Sequence, residues 1–398
     1  MTQHQPTQSD IDMMLKLTAT PTAAGREGRV VSFINDWLSS RDDIEMTADP
    51  SGNLTVSFKE PSDDAPPVYF TAHLDHPAFV VERVIAPATL ELAFRGGVMD
   101  DYFNDARIEV ITADDRSLPG TIIEKTEPTS ESPYKHYICE LDDPADDITT
   151  NDIARWLLPK AAIIDGQLHT VACDDLAAAA CAMIAFDNIR EERKAGKHKA
   201  DVRLLFTRAE EVGFIGALAA VRHNTIPQNA KVIALENSRA FPEAPIGGGP
   251  IVRVGDRLTI FSPRLTDDIA RIAESIAGGP ATPTASQKQS DLPTWKWQRK
   301  LMAGGACEAT VFCHAGLDAT CVCLPLGNYH NMANLDEAQA GTLKDPKPGR
   351  EHVSLADAQG MIDLLTACGS QLASPPASKT SQRLDDLWES RKDILSES

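Results

Sequence analysis

Four short apolar segments of this chain each run into a residue able to hold a metal ion. Val68-Tyr69-Phe70-Thr71-Ala72 ends at His73-Leu74-Asp75, Val202 to Thr207 leads to Glu210-Glu211, Lys231 to Leu235 ends at Glu236, and Thr320 to Leu324 is followed by His330. Apolar runs of this length read as buried strands. In open α/β sheets, sites form outside the carboxyl ends of the strands, so residues far apart in sequence can meet there. A fifth position, Asp174-Asp175, opens an alanine-rich helix over Leu176 to Arg193. The pattern predicts an α/β fold: a mixed, largely parallel sheet flanked by helices. Further helices are expected at 27–40, 214–222, 266–277 and 355–368.

Between His76 and His169 the texture changes. Short β-rich runs such as Phe79-Val80-Val81, Thr89 to Phe94 and Arg107 to Ile111 alternate with acidic and Pro/Ser/Thr turns. No amphipathic helix is expected before about residue 150. This predicts a small all-β domain over 77–168, inserted into an α/β domain of residues 1–76 and 169–373. Residues 374–398 read as a linker and an amphipathic tail helix. A strand is expected at Trp295 to Gln298, a helix from Gly304-Gly305 past Phe312, and a polar loop over 278–293. Trp295 and Trp297 read as packing residues, and Gly247-Gly248-Gly249 as a tight turn.

With 38 Lys+Arg against 58 Asp+Glu, the net charge of −20 disfavours nucleic acid as a partner. It suits attraction of metal ions or protonated amines. Neither a membrane-spanning run nor a secretory signal is evident, so the expectation is a cytoplasmic protein without a membrane partner. The eight cysteines then read as reduced, with Cys321 and Cys323 on one strand face.

Two adjacent glutamates repel by roughly 4 kcal/mol at about 4 Å and an effective dielectric of 20. Six carboxylates (Asp75, Asp174, Asp175, Glu210, Glu211 and Glu236) cannot crowd around His73 and His330 without compensation. Two divalent cations would supply it, with one carboxylate bridging them. Asp174 is the expected bridge. His73 with Glu236, and His330 with Glu211, divide the remaining ligands. Asp75 is placed to orient His73 from behind. That leaves Glu210 to take a proton from the attacking water. Oxygen and nitrogen ligands suit zinc, with cobalt or manganese as alternatives.

The order H-x-D, D-D, E-E, acid, H resembles the co-catalytic metallopeptidases of the M20/M28/M42 clan. The β-rich insertion between His73-Leu74-Asp75 and Asp174 is similar to the M42 group, the glutamyl, deblocking and TET aminopeptidases. Pro21 to Glu27, Gly52-Asn53-Leu54, Gly247-Gly248-Gly249-Pro250, Gly304 to Ala309 and Pro325 to His330 add to the likeness. The resemblance implies an aminopeptidase acting on peptides, a zinc-peptidase-like fold, a homo-oligomer, and a cis peptide after the bridging aspartate. Glu236 stands where M42 members usually have Asp, and Cys307-Glu308 where they have Thr-Asp. An M20-like carboxypeptidase or N-acyl-amino-acid deacylase is the alternative enzyme. It would need an arginine for the substrate carboxylate, with Arg208, Arg239, Arg253 and Arg299 as candidates. A non-catalytic metal-binding scaffold is a third reading. His76, His169, His314 and His352 are expected to be structural or solvated, Asp175 a helix N-cap, and Glu308 a solvated helix start.

Overall fold

The computed structural model describes residues 5–62, 65–127, 132–282, 288 and 294–396. Much of the 278–293 stretch read as a polar loop therefore lies outside the described residues. The main sheet has eight strands, in the order Ile44–Ala48, Leu54–Phe58, Val202–Thr207, Val68–His73, Lys231–Arg239, Asp318–Leu326, Ile251–Gly255 and Gln298–Leu301. Its four central strands, from Val202–Thr207 to Asp318–Leu326, are mutually parallel. They are the four segments whose ends carry the acids and histidines, so those ends leave one edge of the sheet. Antiparallel pairs flank this block on both sides.

The helix Leu176–Lys194 packs against the sheet and against helices Gln8–Ala19 and Leu355–Gln371. Its run Ala177 to Ala180 is wholly buried, as is Phe186, which stacks on Phe58 at 4.7 Å. Its small side chains let the first three turns, Leu176 to Phe186, be covered on all sides, which an ordinary amphipathic helix cannot be.

Six antiparallel strands between Ala78 and Trp156 close into a barrel. Phe79, Phe94, Phe103, Tyr137 and Trp156 fill it; Phe103 stacks on Tyr137 at 4.3 Å, and Phe79 meets Trp156 edge-on at 5.0 Å. Met332, Leu335 and Ala338 join the same apolar cluster, so the chain after His330 is packed onto the barrel. A small sheet joins Ala162–Ile164, Gln167–Thr170 and Glu351–Ser354.

Two elements differ from the sequence reading. The last sheet strand is Gln298–Leu301 rather than 295–298. Trp295 and Trp297 are buried in the main core, and their indole N–H groups donate to Asp363 (3.0 Å) and the Gly279 carbonyl (3.3 Å), which holds this stretch out of the ladder. The helix expected from Gly304 begins at Glu308. The Asp256 carboxylate accepts from the Cys307 N–H (3.1 Å) and the Thr310 hydroxyl (2.5 Å) and fixes the start there. The tail helix spans Lys379–Arg391 and buries none of its residues. Among the described residues no helix is long and apolar enough to cross a membrane.

Candidate metal centre

His73 is the last residue of its strand. Its Nδ1 lies 3.0 Å from the carbonyl oxygen of Asp75 and 3.5 Å from that residue's carboxylate. Nε2 is thereby turned to the other side, 3.4 Å from Asp174 Oδ1 and 3.9 Å from Glu210 Oε2. His330 repeats the arrangement. Its Nδ1 lies 2.7 Å from the carbonyl of Gly97, and its Nε2 lies 3.6 Å from Asp174 Oδ2 and 3.3 Å from Glu211 Oε2. A carbonyl beside Nδ1 fixes the proton on that nitrogen and leaves the Nε2 lone pair for a cation. Gly97 lies in the barrel segment, so the barrel helps to set the ring of His330.

Asp174 stands between the two imidazoles with one oxygen toward each, and its peptide bond to Asp175 is cis. Its backbone is held from three directions. Glu351 Oε2 accepts the N–H groups of Cys173 (2.8 Å) and Asp174 (3.0 Å). His76 Nδ1 meets the Asp174 carbonyl at 2.6 Å. Asn237 donates to the Cys173 carbonyl. Glu351 Oε1 also accepts the N–H of His330 at 2.8 Å, so one buried carboxylate ties both loops together.

The Glu210-Glu211 turn follows from residues upstream. Ala209 has φ 53° and Phe214 φ 59°. Asp75 accepts the N–H groups of Glu210 (2.9 Å) and Glu211 (3.0 Å). Glu27, fully buried, accepts from the Ala209 N–H (3.1 Å) and from the Arg208 side chain (2.8 Å). Asn53 accepts from the Arg208 N–H and donates to the Gly216 carbonyl at 2.9 Å. A side chain at Gly216 would meet the Arg208 backbone at 2.4 Å, so this close approach requires glycine.

The charges are poorly balanced. Burial, with Glu211 and Asp75 adding to it, pushes the Glu210 carboxyl well above the glutamate range, against the pull of His73. Burial with Asp174 and Glu210 does the same to Glu236. Burial opposes protonation of His73 and His330, but Glu210, Asp174 and Asp75 together on the first, and Glu211 and Asp174 together on the second, outweigh it and raise both. Burial would raise Asp174, yet His330 and His73 hold it low.

Among the described residues no lysine or arginine pairs with Asp174, Glu210, Glu211 or Glu236. Asp174 Oδ1 and Glu211 Oε1 are buried without a hydrogen-bond partner. Ligand atoms of His73, Asp174 and Glu211 all lie within 4.8 Å of one another. Unpartnered carboxylate oxygens facing two oriented imidazoles fit divalent cations.

The sequence profile of the M42 glutamyl aminopeptidase family matches residues 52–277, more than half of the chain. The chain belongs to the M42 family. As an M42 member it is a peptide hydrolase of a metal-dependent family. The fold agrees with solved structures. An aminopeptidase from the archaeon Desulfurococcus kamchatkensis superposes with a TM-score of 0.70 at 20% identity, covering 93% of this chain and 99% of that one. A TET aminopeptidase from a marine-sediment thaumarchaeon gives 0.70 at 19% identity, covering 92% and 98%. The Pyrococcus horikoshii TET1 peptidase gives 0.69 at 19% identity, covering 91% and 99%. No curated protein sequence matches.

Two acids differ from the sequence reading of this M42 chain. Asp175 sits at a helix N-cap position without capping; it accepts the N–H of His73 at 3.3 Å instead. Glu308 is 1% exposed rather than solvated, and burial raises its carboxyl to about 7. Glu351 escaped the sequence reading altogether. The one signal for it is an acid just before the buried strand-to-helix step Val353-Ser354-Leu355.

Proposed function

We propose that this M42 chain is an aminopeptidase that removes N-terminal residues from peptides at a centre for two divalent cations, zinc in first place and cobalt or manganese as alternatives. His73, Asp174 and Glu236 would hold one ion, and His330, Asp174 and Glu211 the other. The observation that carries this reading is Asp174, whose two oxygens face two different imidazoles at 3.4 and 3.6 Å. Bound there, the cations would supply Lewis acidity at the scissile carbonyl and lower the pKa of water.

The chain's own groups do the rest. Glu210, whose Oε2 lies 3.9 Å from His73 Nε2, takes a proton from the attacking water and returns it to the leaving amine nitrogen. Its raised proton affinity matches that exchange. Asp75 holds Glu210 and Glu211 by their backbone, with Glu210 Oε2 3.9 Å from the His73 ring and Glu211 Oε2 3.3 Å from the His330 ring, and in this reading the two divide their work. Glu351 keeps Asp174 and His330 in register.

In this reading residues 1–76 and 169–373 form the catalytic domain, 77–168 the inserted domain and 374–398 the tail. The Pyrococcus horikoshii TET1 peptidase can assemble into a tetrahedron or a large octahedral shell, and we read this chain as a cytoplasmic homo-oligomer as well. The test is hydrolysis of aminoacyl anilides and of N-acyl-amino acids after chelation and re-addition of Zn, Co or Mn. Cleavage of the first set restored by metal is expected. Cleavage of N-acyl-amino acids alone would replace this reading with a deacylase.

A further inference from the structure

Two imidazoles outside the proposed metal ligands face each other. His169 and His352 are cross-strand partners in the small sheet, and their rings stack with centroids 4.9 Å apart and planes 18° from parallel. A side chain at Gly327 would come within 2.1 Å of the His352 ring, so that ring lies against bare backbone and cannot swing away on that side. His352 Nδ1 is buried without a hydrogen-bond partner, and a proton placed on it would have no acceptor.

Both partners of this stack lead into the metal centre. His169 lies on the strand Gln167–Thr170, just before Asp174. Gly327, which exchanges backbone hydrogen bonds with His352 at 2.9 and 3.2 Å, lies just before His330. Between them stands Glu351, the neighbour of His352 on its strand and the partner of Thr170 across the sheet. Its carboxylate holds the N–H groups of Asp174 and His330. The register that pairs the two histidines is thus the register that places this clamp.

The surroundings oppose charge on the pair. Burial comes first at both rings; Arg350 adds to it at His169, and His169 itself adds to it at His352. Asp165, in the turn before the His169 strand, and the Arg350 backbone pull the other way. Both rings are held below the ordinary histidine value of 6.5. The parted strands therefore bind protons more tightly than the stacked ones. The stabilisation is fully present above 6.5 and is lost as pH falls below it. Two charged rings at this separation also repel each other.

We propose that the His169–His352 stack is an acid-sensitive latch on the metal centre: protonation of the pair parts the two strands, Glu351 loses its hold on the Asp174 and His330 loops, and metal is released. The proposal rests on the reading of Asp174 and His330 as metal ligands, and places the protons that trigger release away from those ligands.

The test compares the wild-type protein with His169→Phe, which keeps a flat ring and carries no titrating nitrogen. Zinc affinity, measured by competition with a chelator between about pH 7.5 and pH 5, falls in both proteins because the ligand histidines take up protons. The fall should be steeper in the wild type. The variant should match it at about pH 7.5 and bind zinc about tenfold more tightly at about pH 5.5. Affinity curves that stay parallel overturn the latch. Hydrogen exchange at the imidazole C2 position, read residue by residue by mass spectrometry, decides on the wild type alone if the variant does not fold. His169 and His352 should both titrate below 6.5, and a midpoint at or above 6.5 for either one overturns the latch. If the wild type takes up no zinc at about pH 7.5, the metal-centre reading fails and the latch with it, whereas zinc uptake with parallel curves removes the latch alone.

Discussion

Asp75 and Glu210 are joined through the backbone: one oxygen of the Asp75 carboxylate receives the Glu210 N–H at 2.9 Å, and the other receives the Glu211 N–H at 3.0 Å. The same residue meets the His73 ring through its carbonyl at 3.0 Å. One aspartate thus sets an imidazole, a proposed ligand carboxylate and a proposed base. Asp75→Asn keeps the size but turns an NH2 group against one of the two N–H donors. We expect kcat/KM to fall by about 10- to 100-fold with weaker metal binding. A variant with wild-type kinetics would show that the clamp is dispensable.

Glu210→Gln removes the proton acceptor and leaves the proposed ligands in place. Bound metal, measured by elemental analysis, should stay at the wild-type stoichiometry while kcat falls by about a thousandfold. Loss of metal together with activity would make Glu210 a ligand instead.

Glu351 accepts three backbone N–H groups, from Cys173, Asp174 and His330. Glu351→Gln retains one acceptor oxygen and presents donors to the remaining N–H. Denaturant titration should show a loss of roughly 1–3 kcal/mol. Metal affinity should fall at least tenfold. An unchanged midpoint would mean that the two loops hold their places without this carboxylate.

Asp357 gives a pH-dependent signature away from the metal centre. Its carboxylate accepts the N–H groups of Gly247 (2.6 Å) and Gly249 (2.7 Å), yet burial raises its pKa from 3.8 to about 6. The folded state therefore binds this proton more tightly than the unfolded state. The contribution is fully present below the unfolded pKa and is lost as pH rises through the folded one. At about 1.4 kcal/mol per unit, this amounts to on the order of 3 kcal/mol between about pH 4 and 6. Asp357→Asn should flatten that slope in stability-versus-pH curves. An identical slope in the variant would assign it to other groups.

The α/β architecture was legible because it is written in local patterns. Buried parallel strands are continuous apolar runs, and a helix covered on all sides is rich in alanine, as at 177–180. The boundaries at 295–301 and 304–308 were not, because Asp256, Asp363 and the Gly279 carbonyl decide them from distant places in the chain. The juxtaposition of His73 and Glu211 could be inferred because parallel strand ends share one edge of a sheet, and Asp174 joins them at the start of the helix that packs on that sheet.

The sequence by itself determined the residue types and the sheet edge at which they meet, since both depend on neighbours in the chain and on strand polarity. Only the tertiary structure decided which groups hold them. Glu351 reaches Asp174 across 177 positions, Gly97 meets His330 across 233, and Arg253 alone among four candidate arginines lacks a carboxylate among the described residues. Such partnerships leave no period in the sequence. A buried hydrogen bond or an unpaired charge is set by where two distant backbones come to lie, and that is fixed only once the core has packed.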